Sequence, residues 1–319
     1  MSETNERKDA VLVTGGSGFV GQNLVSKLAE KSKPVVSMYH HKLPEPRDNV
    51  FPVCSDMGSA ELLAAPLRGV KTVVHLAWEG GFTSETDGIN WQPDQTDQLP
   101  KNVKIFRNLI KAVEKSDVQR VIFLSAIGAS RKTRIPFLME KYLCEFYLLN
   151  SNIREKVVLR SSVAWSGKVK EDKFLEAILG VMKYRLYPVP VKEEGISPIY
   201  LDDLTKMITK LCHAPLTQDS SLLEVHGGKT YTTDEFFRLF AGKVYSGRQI
   251  GLRGALGRSY LSLLEKYANK TQNMRLEDFL AVGTSLSKET QIENPLLNMV
   301  SKKMREFELP SAENLSEAT

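Results

Sequence analysis

The chain has 319 residues, 42% of them hydrophobic and 25% charged. That size suits two domains, or one large α/β unit with an appended lobe, at roughly 100–200 residues per domain. The balance excludes a disordered chain, a collagen-like chain and a coiled coil. With 43 basic against 38 acidic residues the net charge is +5, too small to indicate a nucleic-acid partner, and none is expected. The three cysteines, Cys54, Cys144 and Cys212, are widely spaced, with no Cys-x-x-Cys pair and no matching histidine cluster. Neither a disulfide framework nor a metal site is expected, and a reducing, cytoplasmic setting fits best. The start of the chain is polar, unlike a signal peptide. No apolar run approaches the ~18 residues of a membrane span, so none is expected.

Ala10-Val11-Leu12-Val13-Thr14 is a short apolar run of the kind buried in a parallel sheet. It leads straight into Gly15-Gly16-Ser17-Gly18-Phe19-Val20-Gly21. Gln22 to Lys31 then reads as a helix with Leu24, Val25, Leu28 and Ala29 on one face, and a second β run follows at Pro34 to Tyr39. Strand, glycine turn, helix and strand in that order form the dinucleotide-binding unit. Glycines at 15, 18 and 21 let the turn double back and bring backbone N–H groups to a pyrophosphate at the helix's positive end. Ser17 and Phe19 share that cradle. A side chain at Gly15 or Gly18 should obstruct the ligand, and one at Gly21 should push the helix off the strand.

Further apolar runs at 72–77, 120–125 and 156–160 alternate with helical patterns. This predicts an α/β fold, a Rossmann-type doubly wound parallel sheet. The rhythm breaks at 166–196 and 229–310, which are assigned to a smaller C-terminal cap lobe over the strand ends. Residues 9–165, with the returning segment 197–228, then make the nucleotide-binding domain, and 311–319 a flexible tail. The loop from Glu79 to Pro100 carries Phe82 and Trp91 and has the length of a lid or recognition element; its aromatic residues either line a pocket mouth or anchor the loop.

The second strand ends in Tyr39-His40-His41-Lys42, and the first acid beyond it is Glu45. A reader of NAD places a carboxylate there, about 20 residues past the glycines, to accept the ribose hydroxyls. With none in place, His40, Lys42 or Arg47 can attract a 2′-phosphate. NADP is favoured and NAD is the alternative.

Thr14 to Gly21, with its glycines three apart, resembles the signature of the extended short-chain dehydrogenase/reductase family, the NAD-dependent epimerase/dehydratase type. Val53-Cys54-Ser55-Asp56-Met57 resembles the step whose aspartate holds the adenine amine. Val73 to Trp78 resembles the strand that lines the nicotinamide ribose, and Val121 to Ala126 the strand that carries a serine. Val158 to Val163, Pro198 to Leu204 and Leu222 to Gly228 resemble its later segments. The resemblance implies a bound nicotinamide nucleotide, with contacts from Asp56, Met57, Ala77, Trp78, Ser125, Lys141 and Ser162 beside the glycine turn.

Catalytic members of that family carry Tyr-x-x-x-Lys, a spacing that puts both side chains on one helix face. The matching segment is Ile135 to Glu145, where Lys141 takes the lysine position and Phe137 the tyrosine position. None of the ten tyrosines has a lysine four residues later. Ser125 is either the catalytic serine or its neighbour, with Ala126 in the catalytic slot. The catalytic set is thus Lys141 and Ser125 without a phenol. The pattern resembles the family's atypical branches, the nucleotide-binding accessory subunit of respiratory complex I and the nitrogen-metabolite-repression type redox sensors.

The favoured reading is a nucleotide-binding sensor or accessory protein, a pseudoenzyme. The alternative is an oxidoreductase or epimerase-like enzyme acting on a small carbonyl, alcohol or nucleotide sugar. Its proton donor would be Tyr142, a lid residue or the substrate. Beyond the nicotinamide nucleotide, the partners in view are a small-molecule substrate or a protein.

Overall fold

The computed structural model describes residues 7–31, 33–79, 99–133, 135–167, 186–189, 195–217, 220–232, 234–236, 238–239, 250–253, 256, 259, 304–306 and 308. Seven strands form one sheet: β1 (Ala10–Thr14), β2 (Val35–Tyr39), β3 (Val50–Cys54), β4 (Val70–His75), β5 (Arg120–Ala126), β6 (Glu155–Ser161) and β7 (Ser220–Val225). Their order across the sheet is β7-β6-β5-β4-β1-β2-β3, and every pairing is parallel. Parallel strands need crossovers, and α1 (Phe19–Ala29), α2 (Lys101–Val113), α3 (Pro136–Leu149) and α4 (Leu201–His213) lie in them.

Strand alternation sorts the apolar side chains onto two faces. Val11, Val13, Val35, Ile122 and Leu159 pack with Leu24 and Leu28 of α1 and Leu204 and Ile208 of α4. Leu12, Val36, Val73, Phe123 and Val158 pack with Phe106 and Leu109 of α2 and Leu143 and Leu148 of α3. Burial on both faces is why these strands read as continuous apolar runs. The fold is the Rossmann-type doubly wound α/β sheet that the pattern predicts. At the base of the sheet, Arg120 and Glu155 form a buried ion pair at 2.8 Å, and Arg120 also donates to the carbonyls of Leu211 and Pro215. This fixes α4 and its exit against β5 and β6.

Two of the boundaries that differ from the sequence expectation have a visible cause. The first helix starts at Phe19 rather than Gln22, because the glycine turn itself caps it at Gly18. The β4 strand ends at His75 rather than residue 77, because the amides of Leu76 and Ala77 turn to the Thr14 hydroxyl.

Short pairings join Ala164–Trp165 to Ile199–Tyr200, Gly195–Ile196 to Tyr231–Thr232, and Leu186–Val189 to Ile250–Arg253. Most of 166–196 and 229–310, the residues expected to form a cap lobe, lie outside the described residues, as do Phe82, Trp91 and 311–319. Among the described residues no helix is long and apolar enough to cross a membrane.

Candidate functional site

Strand order reverses between β1 and β4, since the chain runs from β1 to β2 on one side and returns to β4 on the other. Ligands of such sheets sit in the crevice beyond the strand ends at this point. Thr14, fully buried, ties its two walls together. Its hydroxyl accepts from the amides of Leu76 and Ala77, both at 3.2 Å, and meets His75 Nδ1 at 2.8 Å. With both acceptances made, its one proton goes to His75 Nδ1. The imidazole is neutral, because burial and then the nearby Lys141 charge hold its pKa down to about 3.

The three spaced glycines have different reasons. Gly15 has φ +68°, and a Cβ there would stand 2.8 Å from the Ala77 backbone nitrogen and Cα. The close approach of the two walls therefore constrains this position by itself. A Cβ on Gly21 would run into the Gly15 carbonyl oxygen and lie 2.9 Å from Gly16 Cα, so this glycine seats α1 on the turn. Gly18 alone faces open space. Its Cβ would meet only the Gly15 carbonyl oxygen, at 3.2 Å, and it is exposed. It caps α1 with no side-chain bond and no acidic residue in the first turn. The helix's positive end thus has no counter-charge from its own first turn.

Gln22 Nε2 donates to the Ser17 carbonyl at 2.7 Å and so braces the turn. Phe19, 38% exposed, lines a groove of about 520 Å³ with Gln22, Glu45 and Arg47 outside the turn. On this side of the crevice His40 and Lys42 are exposed beyond β2, and the His40 and His41 rings stand 3.8 Å apart. Arg47 pairs with Glu45 at 3.0 Å, and both side chains are exposed. Beyond β3, Asp56 accepts from the Gly58 amide at 2.8 Å and remains exposed. Met57 is buried at φ +53°. Asn108 of α2 holds this corner by donating to the carbonyls of Met57 and Gly58.

Over β4 and β5 the side chains close on one another. Pro136 opens α3, which places Phe137 and Lys141 one turn apart. Lys141 Nζ donates to the Leu124 carbonyl at 2.9 Å. The same ammonium lies 3.7 Å from the centroid of the Trp78 ring, 5.0 Å from Phe123 and 5.6 Å from Phe137. Trp78 in turn meets Phe137 edge-on at 5.6 Å. Burial lowers the Lys141 pKa to about 8, against opposing effects of Cys144, Glu145 and Glu140.

The two serines turn away from this cluster. Ser125 donates to Glu145 at 2.5 Å, and Glu145 takes both a 2.9 Å and a 2.7 Å bond from Arg160, which reaches on to Glu224. Ser162 donates to the Ser197 carbonyl at 2.5 Å. Asn102 was read from the sequence as part of the helix after β4 and not as a site residue. It accepts from the Glu79 amide and donates to the Glu79 carbonyl and to Glu140, so it fixes the chain just past Trp78. Thr14 and Asn108 were also missed as site residues; the signal was a hydroxyl and an amide at the edges of recognised segments. Among the described residues no group of three or more His, Cys, Asp or Glu is placed to hold a metal.

A glycine turn capping a helix at the reversal of a parallel sheet defines the class: a Rossmann-type α/β protein. Residues 11–143 match the model of the NAD dependent epimerase/dehydratase family, which confirms the resemblance read from the motifs. A 3-beta-hydroxysteroid dehydrogenase of Mycolicibacterium neoaurum is 32% identical over 36% of this chain and 31% of its own length. The mitochondrial NADH-ubiquinone oxidoreductase 40 kDa subunit of Neurospora crassa is 21% identical over 74% of this chain and 60% of its own length. A solved nucleoside-diphosphate-sugar epimerase structure from Staphylococcus aureus superposes with TM-score 0.68 at 17% identity, covering 95% of this chain and 98% of that one. The chain thus spans less than two thirds of the length of both curated relatives.

Proposed function

We propose that the chain binds a nicotinamide dinucleotide across the Gly15–Gly21 turn and serves as a nucleotide-binding sensor or accessory protein that does not turn over a substrate. The pyrophosphate would lie against Ser17, Gly18 and the first turn of α1, the adenosine against Asp56 and Met57, and a 2′-phosphate against His40 and Lys42. NADP is preferred to NAD because the exposed end of β2 presents cations and no carboxylate until Glu45, which Arg47 neutralises. The cysteines among the described residues are unpaired, which supports a reducing, cytoplasmic setting.

One observation carries the absence of turnover. The side chain one turn before Lys141, 5.6 Å from its ammonium, is the phenyl ring of Phe137. A phenyl ring has no proton to exchange with a substrate oxygen, and general acid–base help of this kind is worth about 10²–10⁴-fold. Tyr142, the alternative donor, packs with the α2 and α3 core residues instead. Relatives of both kinds support the reading at a coarser level, since one is named as a dehydrogenase and one as a subunit of a larger oxidoreductase. The test is to identify the nucleotide that copurifies with the protein and follow NADPH consumption over a panel of carbonyl substrates. No consumption is expected. Robust consumption, undiminished in Lys141→Ala, would overturn the proposal.

A further inference from the structure

We infer that Trp78 gates the crevice over β4 and β5, so that the chain holds nucleotides by their adenosine diphosphate half and admits the nicotinamide half only when the indole leaves Lys141. This rests on the dinucleotide reading above and adds a ligand class to it: adenosine diphosphates with or without a nicotinamide end.

A dinucleotide in a doubly wound sheet spans the reversal point, one half over β1–β3 and the other over β4 and β5. Among the described residues the first half of this crevice is uncovered: Gly18, His40, Lys42 and Asp56 are exposed. The second half is filled by the chain itself. The Trp78 ring covers the Lys141 ammonium at 3.7 Å and abuts Phe137. The ammonium's other contact is the Leu124 carbonyl. The carbonyl and the ring faces partly offset the cost of burying this cation. A ribose hydroxyl that approaches from the Trp78 side has to replace the indole, so what the nicotinamide half gains there is offset by the contact it displaces.

The anchors on either side of Trp78 make it the part that moves. Ala77 is held by Thr14 and packs on Gly15, and the Glu79 backbone is held by Asn102. Rotation about the Trp78 side-chain bonds uncovers Lys141 while both anchors stay in place.

The test is calorimetric titration of the full chain with NADPH and with 2′-phospho-ADP-ribose, which lacks nicotinamide. NADH and ADP-ribose are titrated as a second pair, so that the outcome does not depend on the 2′-phosphate. In the wild type the members of each pair should bind within about threefold of each other. In Trp78→Ala the nicotinamide-bearing member should tighten by about tenfold, the scale of one desolvated cation–π contact, while its shorter partner is unchanged. A wild-type preference of tenfold or more for the nicotinamide-bearing ligand would overturn the gate. So would a Trp78→Ala variant that weakens both members equally. If none of the four ligands binds, the dinucleotide reading itself fails, an outcome distinct from either of those.

Discussion

The two halves of the crevice are built from different materials. Over β1–β3 the functional surface is backbone: a left-handed glycine, a bare helix end and exposed strand termini. Over β4–β6 it is side chains that have already found partners, Lys141 under Trp78, Ser125 on Glu145, Ser162 on Ser197. Backbone donors at a helix end receive an anion without rearrangement. Committed side chains must first give up a contact, and a buried group left unpaired costs free energy. Among the described residues, the contacts that a ligand would have to displace lie over the second half.

The largest test of that contrast is Gly21→Val. Its side chain would enter the space of the Gly15 carbonyl, where backbone has to move. We expect a loss of about 3 kcal/mol or more, at the upper end for overpacking, read as a lower denaturation midpoint together with lost nucleotide binding. Unchanged stability would show that α1 does not rest on the turn as described.

Lys141→Met sharpens the other half. The lysine pKa is lowered from 10.5 to about 8 by burial. Between those values the unfolded chain binds more protons at this position, so stability rises with pH, by up to about 1.4 kcal/mol per unit. Below about 8 the full cost of the buried charge is present. Denaturant titrations at several pH values in that window should show the upward slope reduced in Lys141→Met relative to wild type. An identical slope in both would mean that the ammonium is not buried.

Smaller effects follow at the rims. NADPH should bind more tightly than NADH by about tenfold, the order of one charge-assisted contact, and the difference should shrink as salt screens the exposed end of β2. Tighter NADH binding would refute the role given to His40 and Lys42. Smallest is Phe137→Tyr, which adds one hydroxyl beside Lys141. It should yield at most a trace of NADPH-dependent carbonyl reduction, against none in the wild type. A wild-type rate equal to the variant's would place the chemistry elsewhere.

The backbone half of the site was the more legible from sequence, because its signals are local. Strand, glycine spacing and helix lie in one continuous stretch, and the carboxylate-free end of β2 is read off four adjacent residues. The Phe137–Lys141 spacing was legible for the same reason. The partners over β4–β6 were not, because each lies far along the chain. The link between Thr14 and His75 joins residues 61 apart, and the same hydroxyl draws off the amides of Leu76 and Ala77 and so ends β4. Trp78 meets Lys141 only once β4 and α3 are packed on the same sheet face. The Ser125 and Ser162 hydroxyls join an ion-pair network and a returning loop, partners that local sequence does not show. The closeness of Gly15 to the Ala77 backbone is a contact between residues 62 apart and was likewise not legible.

The most direct measurement is calorimetric titration of NADPH into wild type and Gly18→Val, with thermal unfolding of both. Gly18 has an ordinary backbone conformation, φ −80°, and open space around its added carbon apart from one 3.2 Å neighbour. The variant should therefore stay folded, within about 1 kcal/mol of wild type, and lose NADPH binding because its side chain fills the pyrophosphate's place. A folded Gly18→Val that binds NADPH as well as the wild type would contradict the assignment of the nucleotide to this turn.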